Sequence, residues 1–183
     1  LAISEKKGET CVSKKAWLKE RFKDDLVFRK LDVRGKVFIE YLPAESAWCP
    51  IIADGYMYIN AFLGIGQFKG QGYANKLLAQ CIADATAKGK CGLTTFSSAK
   101  KMSFLSDPKY LKYKGFQVAD TTIPYFFVLL YLPFEKKPIP KFRACAEQGK
   151  ISEKGMVLYY SNQCPHLFAE IAERHGKTVT LFE

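Results

Sequence analysis

Residues 56–89 constrain the fold more than any other part of the chain. They run from an apolar strand through a glycine-rich turn straight into an amphipathic helix. The stretch Tyr56 to Leu63 is rich in aromatic and β-branched side chains, which suit a pleated, buried strand. Gly66-Gln67-Phe68-Lys69-Gly70-Gln71-Gly72 follows as a turn. Tyr73, Ala74, Leu77, Leu78, Cys81, Ile82 and Ala85 then repeat at i, i+4 spacing, with Asn75, Lys76, Gln80 and Asp84 on the opposite side. Gly89 is placed to end that helix. A helix entered through such a turn carries backbone N–H groups with no intrahelical acceptor, next to the positive end of the helix dipole. This is a ready site for a phosphate or pyrophosphate. Gly70 and Gly72 leave no side chain where a ligand would approach the backbone. The turn is not a Walker loop, because no Gly-Lys-Ser or Gly-Lys-Thr follows. Nor is it a dinucleotide fingerprint: a third glycine is missing at the required spacing, and the preceding elements read as antiparallel.

The flanking sequence supplies the rest of a mixed fold. Residues 1–3 read as the tail of a strand. Ser13 is placed to cap a helix running to about Phe22. Two alternating strands, 26–31 and 36–42, flank Arg34-Gly35 and predict a hairpin, with Val37, Ile39 and Tyr41 on one face and Phe38, Glu40 and Leu42 on the other. Pro43 to Pro50 is a loop and Asp54-Gly55 a turn. A Thr-rich strand spans 92–97. Short helices at 104–105 and 110–114 are expected to be interrupted by Asp107-Pro108 and closed by Gly115. Strands follow at 116–119 and 124–132. The segment 133–140 holds three prolines and three charged residues and is the best linker candidate. Beyond it, a strand at 156–160, a helix at 165–174 and a strand from 178 form a small βαβ-like extension.

A chain of 183 residues with 48% hydrophobic residues can bury one ordinary core. No apolar run reaches the roughly 18 to 20 residues of a membrane span, so no membrane partner is expected. The chain opens on Leu1 rather than Met, which reads as a trimmed N-terminus, and no signal or transit segment is visible. The formal net charge of +10 is compatible with polyphosphate ligands or with a solvated, Lys-rich surface. Nucleic-acid binding is not expected, because no long block of like charge occurs. The cysteines Cys11, Cys49, Cys81, Cys91, Cys145 and Cys164 lack the paired spacing of a zinc site, so no metal is expected. Scattered thiols in a chain with a full core fit a reducing, cytoplasmic compartment.

With these features in place, the chain resembles the GNAT acetyltransferase superfamily. The Arg/Gln-x-x-Gly-x-Gly/Ala cofactor motif is matched by Gln67, Gly70 and Gly72, and an aromatic helix ending in Gly-Phe by residues 110–116. Residues 41–48 (Tyr-Leu-Pro-Ala-Glu-Ser-Ala-Trp) and 159–165 (Tyr-Tyr-Ser-Asn-Gln-Cys-Pro) look like a narrower YoaP-type group, which adds a small C-terminal extension. The resemblance implies an α+β (α/β) fold with a mostly antiparallel central sheet flanked by helices. Its expected domains are a GNAT domain over 1–134, a linker over 135–150, and the start of a YoaP-type, thioredoxin-like extension over 151–183.

The resemblance also implies an acetyl-CoA-dependent N-acetyltransferase acting on an amine of a small molecule or protein. Backbone groups of Phe62, Leu63 and Gly64 would pair with the pantetheine arm. Those of Gln67, Phe68, Lys69, Gly70, Gln71, Gly72 and Tyr73 would hold the pyrophosphate, with charge added by Lys69 and Lys76. An attacking amine needs a base. Glu45 is the first candidate, in its aromatic loop, and Glu40 the second. The departing thiolate needs an acid. The family's usual tyrosine position holds Leu111 here, so Tyr110 is the better candidate, with Tyr113 on the other side. Two alternatives stay open: a non-catalytic acyl-CoA-binding module, and a thiol-redox role for Cys164, which precedes Pro165 and His166 at a helix start but lacks the second cysteine of a C-x-x-C pair. The acceptor's identity is not legible, and a homodimer stays open.

Overall fold

A computed structural model describes residues 9–33, 37–63, 71–99, 105–122 and 127–146. Helix α1 (Glu9–Arg21) belongs to one compact unit, and the described residues from Asp24 onward belong to another. Helix α1 begins four residues before Ser13, so Ser13 lies inside the helix and is not its cap. The expected strand at 1–3 and every element expected beyond residue 150 lie outside the described residues.

The second unit is built on a six-stranded sheet in the order β1-β2-β4-β5-β7-β6. Its strands are β1 (Val27–Lys30), β2 (Phe38–Pro43), β4 (Tyr56–Leu63), β5 (Gly92–Ser98), β6 (Gln117–Thr121) and β7 (Phe127–Pro133). Every neighbouring pair is antiparallel except the central one, β4 with β5. The hairpin of β1 and β2 forms as its alternating pattern predicts. A separate ribbon pairs β3 (Ile51–Ile52) with β8 (Lys141–Phe142).

That ribbon draws on part of the stretch expected as a linker. Within 135–150, β8 returns to the body of the unit, and the Phe142 amide donates to Asp120 Oδ2 at 2.8 Å. The Phe134 amide donates to the Cys91 carbonyl at 2.8 Å, and the Tyr56 hydroxyl to the Pro138 carbonyl at 3.2 Å. The proline-rich stretch itself is therefore bonded to this unit.

Helix α2 (Tyr73–Ala87) and helix α3 (Pro108–Tyr113) cover one face of the sheet. Leu77, Leu78, Cys81 and Ala85 of α2 and Leu111 of α3 form one buried cluster with Ile39, Tyr41, Met57, Ile59, Leu93 and Leu130. Fully burying one such aliphatic side chain contributes about 2 kcal/mol. Both helices close the same way. Gly89 and Gly115 take φ of 64° and 91°, and the next residue's amide reaches back to a carbonyl five positions earlier, Lys90 to Ala85 and Phe116 to Leu111. Leu111 and Phe116 are both buried, so this closing turn also seals the core. Asp107-Pro108 starts α3 rather than interrupting a helix: the Asp107 carboxylate accepts from the Lys109 amide at 2.9 Å, and Pro108 occupies the first turn.

The opposite face carries an aromatic layer. Tyr58 meets Phe96 edge-on at 5.8 Å, and Phe142 of the ribbon lies 5.4 Å from Phe96. Tyr56 meets Tyr131 edge-on at 6.4 Å.

Candidate active site

The site begins with one extra residue in β4. Across β2, Tyr41 pairs with Ile59, Glu40 with Ala61 and Ile39 with Phe62, so Asn60 is a bulge. A strict two-residue alternation would place Phe62 with Tyr56 and Tyr58. The bulge instead turns Phe62 to the helix face, where it packs against the cluster that holds Met57 and Ile59. Bulges also bend a strand, and here β4 and β5 part. Their parallel pairing covers residues 56–59 with 92–95 and goes no further, although β4 continues to Leu63 and β5 to Ser98. Both arms stay paired on their outer sides, β4 with β2 and β5 with β7. The result is a fork in the centre of the sheet.

Thr95 sits in the crotch of the fork. Its buried hydroxyl donates to the Ile59 carbonyl at 2.9 Å, the last β4 carbonyl before the bulge. Ser97, also buried, donates to the Ser106 carbonyl at 2.8 Å and so ties the far arm of β5 to the turn that leads into α3.

On the helix face, the fork meets the N-terminus of α2. Gly72 caps that helix with φ 74° and, being glycine, contributes no side-chain cap bond of its own. A Cβ on Gly72 would meet nothing within 4 Å, so the glycine is required by its left-handed backbone and not by close packing. The Tyr110 ring lies 5.8 Å from the Phe62 ring, and its hydroxyl donates to Asn75 Oδ1 at 3.0 Å in the first turn of α2. Burial raises the Tyr110 pKa above its usual value of 10, so the phenol stays protonated. Tyr113, in contrast, is 81% exposed, with Lys114 Nζ 4.9 Å over its ring.

On the other face lies Glu40, a carboxylate only 2% exposed. Its Oε1 accepts from the Asn60 amide side chain at the bulge. A carboxylate in such surroundings requires hydrogen-bonding partners, and Asn60 is one. The neighbouring Tyr58 titrates well above its usual range, first because it is buried and then because Cys49 and Glu40 lie close. Burial likewise pushes the Cys49 thiol up to about 12, so it is no thiolate.

Glu45 is not brought to this site. Its Oε1 accepts from the Gly55 amide at 2.7 Å, and Lys90 Nζ bridges its two carboxylate oxygens at 3.1 and 3.0 Å. Gly55 precedes the first residue of β4, whereas Phe62 lies near the last. At about 3.3 Å per residue the two ends are roughly 20 Å apart. Burial works against the Glu45 charge, but backbone N–H donors and Lys90 outweigh it and lower the pKa. Of the expected cofactor contacts, Phe62, Leu63, Gln71, Gly72 and Tyr73 lie around the fork and the α2 N-terminus. Gly64, Gln67, Phe68, Lys69 and Gly70 lie outside the described residues, as do Cys164 and His166.

One network escaped the sequence reading. Asp84, expected on the solvent side of α2, accepts from Arg29 Nη2 at 2.7 Å and from the buried Tyr41 hydroxyl, and Arg29 Nε also reaches Tyr41 at 2.8 Å. Burial opposes ionisation of Asp84, but the bonds from Tyr41 and Arg29 prevail and lower its pKa. The network fastens α2 across β1 and β2, behind the end of the helix that faces the fork. Its sequence signal was an acid on a helix and an arginine on a strand 55 positions apart, which no local pattern connects.

Among the described residues no cluster of His, Cys, Asp and Glu could hold a metal ion, and no helix is long and apolar enough to cross a membrane. No family model matches the chain. Among curated proteins it is 42% identical over 165 residues to an uncharacterized N-acetyltransferase, YoaP, of Bacillus subtilis (strain 168). That match spans 90% of this chain and 66% of the relative's length. Solved structures are more distant. A GNAT-family protein of Desulfovibrio desulfuricans is 15% identical with a TM-score of 0.48, over 64% of this chain and 76% of that one. An N-acetyltransferase of Staphylococcus aureus Mu50 is 16% identical with a TM-score of 0.44, over 66% and 74%. The GNAT-family N-acetyltransferase YhbS of Escherichia coli, solved in complex with CoA, is 12% identical with a TM-score of 0.43, over 72% and 76%.

Proposed function

The chain belongs to the GNAT superfamily, in its YoaP-type group, and from this premise we propose that it transfers an acetyl group from acetyl-CoA to an amine. The observation that carries the proposal is the fork, opened by a bulge in β4 and lying beside a helix N-terminus whose cap residue is the left-handed Gly72. The β4 arm is extended backbone that has lost its β5 partner, which suits the amide-bearing pantetheine arm. Phe62 and Leu63 would pair with it, and the amides at Gln71, Gly72 and Tyr73 would receive the pyrophosphate together with the expected contacts at Gly64 and residues 67–70.

Acetyl-CoA supplies the acetyl group as a thioester. The chain's own residues supply position and protons. Glu40, rather than Glu45, is proposed as the base, because it lies one strand from the fork while Glu45 is held at the far end of β4 by Gly55 and Lys90. In the balanced reaction the ammonium nitrogen loses two protons and gains the acetyl group. Both leave in turn through Glu40 to solvent; Tyr110 Oη protonates the departing sulfur and is reprotonated from solvent, so one proton is released in all. Tyr110 suits this role because it touches Phe62 and stays protonated. A cytoplasmic site of action belongs to the same reading, supported by the free thiols of Cys49, Cys81 and Cys91. Residues 151–183 are assigned to the start of the YoaP-type extension on their sequence resemblance alone.

The test is calorimetry with CoA, followed by thiol release from acetyl-CoA with and without added amines. Saturable uptake with amine-dependent release is expected. Uptake without release from any amine would leave an acyl-CoA-binding module instead, and folded protein that takes up no CoA would overturn the proposal.

A further inference from the structure

We propose that the acceptor is a primary amine carried on a flat or apolar body, such as an arylalkylamine, and not a polyamine or a hydroxyalkylamine. This rests on the acetyl-transfer reading above and concerns the face of the fork opposite the helices. Three features converge there. The first is Glu40, a buried carboxylate beside the bulge, with Asn60 as a hydrogen-bond partner. A single carboxylate recognises a single ammonium, so one cationic centre is expected at the floor of the site.

The second feature is the wall on the β4 side. The bulge sends Phe62 to the helix face, and alternation then turns Leu63 to the Glu40 face, where its register partner Phe38 also points. Leu63 is 42% exposed, and Phe38 stacks on Phe28 with ring centroids 5.1 Å apart. The third is the wall on the β5 side. Phe96, the first β5 residue beyond the last ladder pair, faces the same way and meets Tyr58 edge-on. A carboxylate one strand from the fork, on the same face as apolar side chains of both arms, matches an ammonium attached to an apolar body. A polyamine would bring a second charge against Leu63 or the rings and lose its hydration there, at a cost a singly charged amine avoids. A hydroxyalkylamine would leave this surface wet.

The experiment measures kcat/KM for acetylation of phenylethylamine and hexylamine against ethanolamine, spermidine and the side chain of free lysine, with CoA affinity followed by calorimetry. The expected preference for the two apolar amines is about 100-fold, since one apolar contact is worth roughly 10- to 200-fold. Phe38→Ala is expected to raise KM for phenylethylamine about tenfold, by the same scale, while the CoA affinity stays within about twofold. Phe28→Ala, on the edge strand, serves as the second variant should Phe38→Ala fold poorly, and a smaller rise is expected. Equal turnover of ethanolamine or spermidine, or an unchanged KM in both variants with CoA still bound, overturns this proposal and leaves the acetyl-transfer reading standing. No CoA uptake, or turnover with none of the amines, overturns both.

Discussion

The two ends of the β4–β5 pair are built on opposite terms. At the end that starts both strands, the structure is fastened repeatedly. Glu45 bonds the Gly55 amide and Lys90, the Cys91 thiol donates to the Gly55 carbonyl at 3.1 Å, and the Cys91 amide does so at 2.8 Å. Gly92 lets β7 approach so closely that a Cβ would lie 2.5 Å from the Leu132 carbonyl oxygen. At the other end the ladder stops at Thr95, and the strands diverge beside Glu40, Phe62 and Tyr110. The difference teaches that the opening in the sheet is not a region of loose packing. The sheet is closely bonded at one end, the clasp, and parted at the other, where the bulge lies. The proposed ligand contacts fall where strand pairing has been given up.

The strongest way to break this comparison is to spoil the clasp. Gly92→Ala would press a methyl group against the Leu132 carbonyl and Tyr56 Cε1, at 2.5 and 2.8 Å. Backbone cannot give way as a side-chain tip can, so a loss of about 3 kcal/mol is expected in urea denaturation. Molecules that remain folded should still take up CoA, because the fork lies at the far end of the strands.

The next effect belongs to the open end. Tyr110→Phe keeps the ring against Phe62 and removes only the hydroxyl. A fall in kcat of about 100-fold is expected, with little change in CoA affinity. In the native chain the proposed alkaline limb of kcat that reports this phenol should lie above pH 10, because burial raises its pKa. An unchanged kcat in the variant would remove Tyr110 from the chemistry and leave it a packing role.

The contrast was only half legible in the chain. The bounds of β4, the apolar stripe of α2 and the hairpin follow from periodicity, because each element buries one face of itself. The fork does not. It depends on one surplus residue, Asn60, whose only sequence trace is a polar side chain in an otherwise apolar run. Strict alternation would therefore place Phe62 on the wrong face. The pairing of β8 with β3 was hidden because two-residue strands have no period to detect. Glu45, in its aromatic loop, reads as the first candidate base and Glu40 as the second, because both are acids near the same strand in sequence. What separates them is which end of β4 each one meets, and that is fixed only by the register.

A subtler change sharpens the hinge itself. Thr95→Val keeps the shape and removes the hydroxyl, which leaves the Ile59 carbonyl without that donor. The expected cost is about 1 to 2 kcal/mol of stability. A fork whose crotch has slackened should also bind CoA about tenfold more weakly, which is 1.4 kcal/mol. Loss of stability with CoA affinity intact would mean that the hydroxyl holds the sheet together without setting the width of the slot.

The smallest effect decides which acid is the base. Glu45→Gln keeps an acceptor for the Gly55 amide but loses the charge facing Lys90. The pair is partly exposed, at 40% for Glu45 and 16% for Lys90, so about 0.5 kcal/mol is expected at neutral pH. The pKa of Glu45 is lowered in the folded chain, so its contribution is present above the ordinary value of 4.5 and fades as pH falls through the lower folded value. The stability gap between variant and native chain should therefore close in acid and stay constant from pH 6 upward. Turnover should not change at any pH, whereas Glu40→Gln should lower it. If Glu45→Gln abolished turnover while its stability followed this curve, the base would sit at the clasp, and the fork could not be where the amine meets the thioester.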